Sequence, residues 1–439
     1  MSGILLQVIQ FFASLSLLVL IHEFGHYITA RMFGIRVEKF YLFFNPWFTL
    51  YKRKIGHTEY GIGWLPMGGY VSLAGMIDES MNVEQMKAEP QPWEFRTKPA
   101  WQRLIVMLAG IVMNVLLAMV IYSGLLYTNG QTYFHSDDIK EGYIFNERAE
   151  TLGFEDGDKI VAIDGNRIVN INEIRERLII TDGNRKVTIL RDEQEQDITI
   201  ALKELVAMRE DGTITDFCRV NIPFIIDEVK AESAREAGIE AGDRVIAIND
   251  VPVSDLTHGR ELLKKLANSE ARIALLRGDC DTLQLNIPVN GKAQIGVNTK
   301  LIKPRTREYG FWESIPAGAC YTWDKIASYW EQLKMIVNPD TKGYKELGGF
   351  IAIGSIFPEE WSWINFWSLT AFISIVLAIM NLLPIPGLDG GHALITLWEM
   401  ITRRKPSDKF LEVLQYIGLG FLILLMLYAN GSDIVRLFS

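Results

Sequence analysis

Two histidines four residues apart, with a glutamate beside the first, occur in His22-Glu23-Phe24-Gly25-His26, where an apolar run from Ile4 to Ile21 ends. On a helix this spacing stacks both imidazoles on one face, one turn apart. Such a pair binds one metal ion, with zinc the usual occupant, and the adjacent glutamate can take a proton from an attacking water. The run leading into the motif is long enough to enter a bilayer. Imidazoles and a carboxylate inside an apolar span are costly to hold there, which marks them as candidates for function. Taken alone, the five residues also fit a chance match, either on an exposed helix or as a buried histidine pair satisfied by its neighbours. Zinc needs a third protein ligand, and a second stretch offers one: Asn381-Leu382-Leu383-Pro384-Ile385-Pro386-Gly387-Leu388-Asp389-Gly390-Gly391, inside the apolar region from Leu369 to Leu397. Asp389 is the carboxylate that can complete the set. Pro384, Pro386 and the glycines interrupt a helix here, which a membrane tolerates only where the freed backbone lines a cavity or is buried in protein.

HExxH in a first span with NxxPxPxLDGG in a later one resembles the paired signature of the site-2 protease family of intramembrane zinc metalloproteases, and each defining position of both is filled. The resemblance covers nearly the whole chain and best fits bacterial members with two periplasmic PDZ domains. It implies zinc held by His22, His26 and Asp389, Glu23 as the catalytic base, and Asn381 as a hydrogen-bonding partner of the substrate backbone. It also implies substrates: single-pass membrane proteins already shortened on the outer side, among them anti-sigma factors, and remnant signal peptides. Where the family usually has Gly-Pro ahead of an asparagine in the second span, this chain has Gly110-Ile111, so no proline kinks the helix before Asn114. Asn114 reads as a helix-packing hydrogen bond or as support behind the metal ligands, and His392, just after Asp389, as a similar support.

These groups need membrane helices to position them. The 439 residues carry a net charge of −9 and are 49% hydrophobic, with the apolar content gathered at both ends. The acidic balance and the lack of a basic cluster exclude nucleic-acid binding. Three cysteines without a CxxC pair exclude a disulfide framework or a cysteine zinc site, leaving a Cys218–Cys280 pairing open. The first apolar run has an uncharged start, Met1-Ser2-Gly3, and no cleavage site, so it reads as a retained span. About four spans are expected, over Ile4–Met32, Leu104–Tyr127, Asn365–Ile401 (broken near Pro384) and Phe410–Tyr428. Basic residues between the first two spans and between the last two place both connections in the cytoplasm. The termini and the long middle region then face outwards, and the metal lies towards the cytoplasmic side of a bacterial inner membrane.

Residues 35–75 read as strands. Gly61 and Gly63 lie in a stretch whose edge can hold an extended substrate by main-chain hydrogen bonds, or which is simply an aromatic-rich hairpin. In the middle region, residues 149–165 align without a gap on 234–250 as a helix, a Gly-Asp turn and an alternating strand. The repeat looks like two PDZ domains, serving either as a peptide-capturing module or as a steric filter. Residues 311–337 have aromatics and aliphatics at helical spacing, fitting a helix in the outer interface or one packed on the second repeat.

The expected architecture is a multi-pass α-helical membrane protein with a membrane-associated β-sheet and two extracytoplasmic PDZ (α+β) domains. Its segments are 1–34 (first span), 35–103 (β-region), 104–128 (second span), 129–205 and 206–302 (repeats), 303–364 (amphipathic helix and linker), 365–402 (third span) and 403–439 (loop and fourth span). The reading from another class is a membrane-tethered PDZ scaffold with a structural metal, against which stands Glu23, since structural zinc needs no base. A metal transporter fits the exterior repeats and the single HExxH poorly.

Overall fold

The computed structural model describes residues 3–76, 89–278 and 281–438. They form two compact units, one of residues 1–130, 308–337 and 343–439, the other of 131–307 and 338–342.

The first unit contains helices α1 (Gly3–Met32), α2 (Ala100–Asn129), α3 (Phe311–Val337), α4 (Phe350–Ser355), α5 (Trp363–Leu382), α6 (Asp389–Thr402) and α7 (Asp408–Phe438). Among the described residues, α1, α2, α5 and the Lys409–Arg436 part of α7 are long and apolar enough to cross a membrane. Helix α2 runs unbroken through Ile111. Between α5 and α6 the chain leaves helical geometry across Leu383–Leu388, the stretch with both prolines.

Lipid supplies little hydrophobic drive for helices to pack together, so small residues and polar ties hold the bundle. Helices α1 and α2 touch backbone to backbone: a Cβ on Gly25 would lie 2.5 Å from the Ala109 carbonyl oxygen. Gln7 and Gln10 of α1 donate to the Phe357 and Pro358 carbonyls ahead of α5, each at 2.8 Å. Ser374 of α5 donates to the Asn114 carbonyl at 2.8 Å. A buried ion pair, Arg103 Nη2 to Glu399 Oε1 at 2.6 Å, ties the start of α2 to α6.

Asp433 has a comparable task in α7. Its carboxylate accepts from the backbone N–H groups of Gly349, Ile351 and Ala352 at 3.0, 3.1 and 3.0 Å, capping α4. Asp433→Ala strands these donors in a site only 4% exposed, at about 1–3 kcal/mol for a buried group left unpaired. The expected result is a lower melting temperature of the detergent-solubilised protein, and an unchanged one would rule out the cap as a stabilising contact.

Strands β1 (Val37–Ile55) and β2 (Thr58–Leu73) form an antiparallel hairpin turning at Gly56-His57, with several register shifts. Its base is anchored by Val37, Val71 and Leu73, which pack with Ala30, Ile35, Val106 and Met107.

Helix α3 joins the bundle. It packs lengthwise on α2 and α5, through Tyr122 against Tyr321 (ring centroids 4.8 Å apart) and Tyr329 against Phe372 (6.2 Å). Tyr321, Ile326, Tyr329 and Leu333 join a cluster with Ala118, Tyr122, Ile375 and Ile379. Of the residues at helical spacing, Trp312, Ile315, Trp323 and Trp330 are exposed, while Ile326 and Leu333 pack into the bundle.

In the second unit the sequence repeat appears as two copies of one arrangement. Four-stranded sheets are built from residues 159–163, 166–167, 185–191 and 194–200, and from 244–248, 251–252, 270–277 and 281–288, in the same order. Arg191 binds both Asp158 carboxylate oxygens at 2.7 Å and reaches Glu155 and the Gly153 carbonyl. Arg277 does the same with Asp243 (both at 2.8 Å), Glu240 and Gly238. Burial pushes the Asp243 carboxyl up, but the Arg277 guanidinium and the Glu240 N–H outweigh it and hold it below the usual carboxylate range. The Cys218–Cys280 pairing involves Cys280, which lies outside the described residues.

Candidate metal centre

His22 and His26 sit near the C-terminal end of α1, 8% and 6% exposed. The first turn of α6 brings Asp389 to them. His22 Nε2 and His26 Nε2 are 3.2 Å apart, and Asp389 Oδ2 lies 3.1 Å from the first and 3.2 Å from the second. Among the described residues, these three form the group of histidine, cysteine and carboxylate atoms able to share an ion.

The triangle can be tested against zinc. Donors at about 2.0–2.1 Å in tetrahedral geometry stand roughly 3.3 Å apart, close to the three edges observed. Asp389 Oδ2 is buried without a hydrogen-bond partner, as expected of an oxygen shaped for a cation. His26 Nδ1–H donates to the Val106 carbonyl at 2.8 Å, which leaves the Nε2 lone pair free. Behind His22, Asn114 Nδ2 lies 3.3 Å from Nδ1, while the buried Asn114 Oδ1 has no partner. Turning that amide over gives the His22 Nδ1–H an acceptor and frees its Nε2 in the same way. The residues fit the ion.

Glycine makes room for this. Any Cβ on Gly110 would collide with His26 Nε2 and stand 2.7 Å from His22 Cε1. The α1–α2 crossing at Gly25 and Gly110 therefore sets the depth of the imidazoles against α2. A cavity of about 220 Å³ adjoins the site, lined by His22, Glu23, His26, Asp389 and Asn381 and by Gly68–Val71 of β2. Glu23 is half-buried there.

The model of peptidase family M50 matches residues 10–425. The chain belongs to peptidase family M50. "Regulator of sigma-E protease RseP" of Salmonella typhimurium (strain 14028s / SGSC 2262) is 29% identical over 461 residues, spanning 100% of both chains. The protein of that name from Escherichia coli (strain K12) is 29% identical over 462 residues, again spanning 100% of both. "Putative zinc metalloprotease" of Xylella fastidiosa (strain 9a5c) is 28% identical over 448 residues, covering 96% of this chain and 97% of its own. This M50 peptidase is a zinc metalloprotease of the site-2 type.

The other residues singled out from sequence fall in different places around the M50 site. Asn381, at the end of α5, has its amide nitrogen 3.5 Å from His22 Nε2. His392 borders the metal cavity. Pro384 and Pro386 lie in the break that turns the chain back to present Asp389. Gly61 and Gly63 do not line the cavity: Gly61 packs under the Tyr41 ring and Gly63 against the Phe43 and Phe44 carbonyls. Gly68 and Gly69, further along the same strand, do line it. His135 and His258 engage Asp137 and Ser254 in the second unit and take no part in the metal group. Gly110 shapes the site although the sequence does not mark it, because a glycine in an apolar helix carries no chemical signal of its own.

Proposed function

We propose that the chain hydrolyses peptide bonds within the membrane spans of single-pass proteins, with zinc held by His22, His26 and Asp389. The observation that carries this reading is the 3.1–3.2 Å approach of Asp389 Oδ2 to both imidazoles across 363 residues of sequence. Zinc, when bound, lowers the pKa of the attacking water towards neutrality and polarises the scissile carbonyl. Glu23 accepts the water proton and passes it to the leaving amine. Asn381 hydrogen-bonds the substrate backbone. Gly68–Val71 of β2 lie alongside the peptide, which must be unwound because a helix hides its carbonyls in its own hydrogen bonds.

Asn114 and His392 support the site from behind. Asn114→Leu is expected to weaken zinc binding about 10–100-fold, read by competition with a chromophoric chelator; unchanged affinity would remove Asn114 from this role.

The active site faces the cytoplasmic side of the bacterial inner membrane, and the termini and both repeats face the periplasm, as the basic loops require. The repeats act as PDZ domains. In the first, a groove of about 460 Å³ lined by Ile174, Leu178, Phe217 and Val220 supports capture of a peptide by strand addition beside Cys218–Val220. Relatives named "Regulator of sigma-E protease RseP" support an anti-sigma factor, already cut on its outer side, as one substrate. Remnant signal peptides are a second class. Mass spectrometry of membrane peptides that accumulate in cells producing the Glu23→Gln chain in place of the wild type tests this. Single-pass fragments with shortened outer parts are expected, and an unchanged membrane peptide profile would overturn the reading.

A further inference from the structure

Helix α7 is apolar and largely exposed, so each position it buries needs a reason. Among its described side chains, the buried positions are Gln415, Gly418 and Asp433. Asp433 caps α4, as described above. Gly418 lies under the Pro386 carbonyl, so closely that any Cβ there would overlap the oxygen. That contact docks α7 on the proline break and fixes which face of the helix turns inward. Gln415, one turn before Gly418, has no such structural duty.

The Gln415 side chain is 9% exposed, and among the described residues no hydrogen bond engages its amide. A primary amide has two donors and an acceptor to satisfy. Its surroundings show what could fill it. Gln415 lines the metal cavity together with Asn381 and Val71. It also lines a second chamber of about 290 Å³, and Met76, His392 and Gln415 are common to both. The second chamber continues past Arg103 and Glu399 to Lys405. Gln415 thus stands where the two spaces meet.

We propose that Gln415 is a substrate-binding residue, whose primary amide donates to and accepts from the main chain of an unwound peptide passing from the metal cavity into the second chamber. The ligand is extended polypeptide backbone, irrespective of side-chain type. A segment stripped of its helical hydrogen bonds brings unpaired N–H and C=O groups into a site shielded from bulk water. One amide meets one of each, matching the two halves of a peptide unit. The β2 stretch and Asn381 contact the same segment nearer the metal, and Gln415 extends the grip beyond them. This assignment rests on the proteolytic reading above.

The test uses the full-length enzyme in detergent with a single-pass substrate. Gln415→Leu keeps the size of the side chain and removes its hydrogen bonding. It is expected to lower kcat/KM about tenfold, mainly through KM, with zinc content and melting temperature as in the wild type. In a Glu23→Gln chain with its three native cysteines replaced by serine, Gln415→Cys should form a disulfide with a substrate cysteine placed within a few residues of the scissile bond. This second arm decides the matter should Gln415→Leu fail to fold. Wild-type kcat/KM in a folded Gln415→Leu protein, or no cross-link at any position flanking the scissile bond, overturns the proposal while leaving the proteolytic reading intact. Failure of the wild type itself to cleave overturns both.

Discussion

Glu23→Gln is expected to leave the protein folded and zinc-loaded while lowering the cleavage rate of a membrane-span substrate by about 10²–10⁴-fold. Glutamine preserves the size of the side chain and its place beside β2 in the cavity. It cannot take up a proton. Zinc occupancy should not change, because His22, His26 and Asp389 supply the ligand atoms without it. The effect should fall on kcat, since the lost interaction belongs to the transition state and not to substrate binding. Cleavage followed on gels under single-turnover conditions, beside metal analysis of the same preparation, checks this. Wild-type cleavage by the glutamine variant would end the assignment of Glu23 as base.

Asp389→Ala should have an effect at least as large by another route. It removes one corner of a triangle whose edges are 3.1–3.2 Å, leaving two imidazoles where a catalytic zinc site needs three protein ligands. The substitution also removes the only carboxylate of the group. Zinc should fall from roughly one per chain to a small fraction, with activity lost in proportion. Helices α5 and α6 should still form, because the break between them is set by Pro384 and Pro386 and α6 is held to α2 by the Arg103–Glu399 pair. Inductively coupled plasma mass spectrometry gives the metal content and circular dichroism the helix content. Full zinc occupancy in the alanine variant would contradict the ligand set.

Much of this arrangement could be read from the residues themselves. HEFGH and NLLPIPGLDGG announce themselves by placing charged, aromatic-nitrogen and helix-breaking groups inside apolar runs, where each is costly enough to demand a purpose. The repeat is visible because its Gly-Asp turns recur in register, and the matched Arg191 and Arg277 clusters give that recurrence a physical basis. Other features were hidden for equally physical reasons. A helix apolar on every side has no periodicity to reveal its inner face, so α7 gave no hint that Gln415 turns towards the metal cavity. The hairpin carries register shifts between Leu42 and Phe44 and between Phe44 and Thr49, and each one-residue slip exchanges the two faces of a strand. The residues that line the cavity, Gly68 and Gly69, lie further along the same strand than Gly61 and Gly63. Helix α3 presents no single face: Ile326 and Leu333 pack in the bundle, whereas Trp312, Trp323 and Trp330 at the same helical spacing are exposed.

Zinc K-edge X-ray absorption on the purified wild type and on His26→Ala tests the central claim most directly, namely that one ion joins α1 to α6. The account predicts a wild-type spectrum with about two imidazole nitrogens and otherwise oxygen donors, and loss of bound zinc in His26→Ala. Sulfur in the wild-type coordination shell, or a full complement of zinc with an unaltered spectrum in the alanine variant, would contradict it.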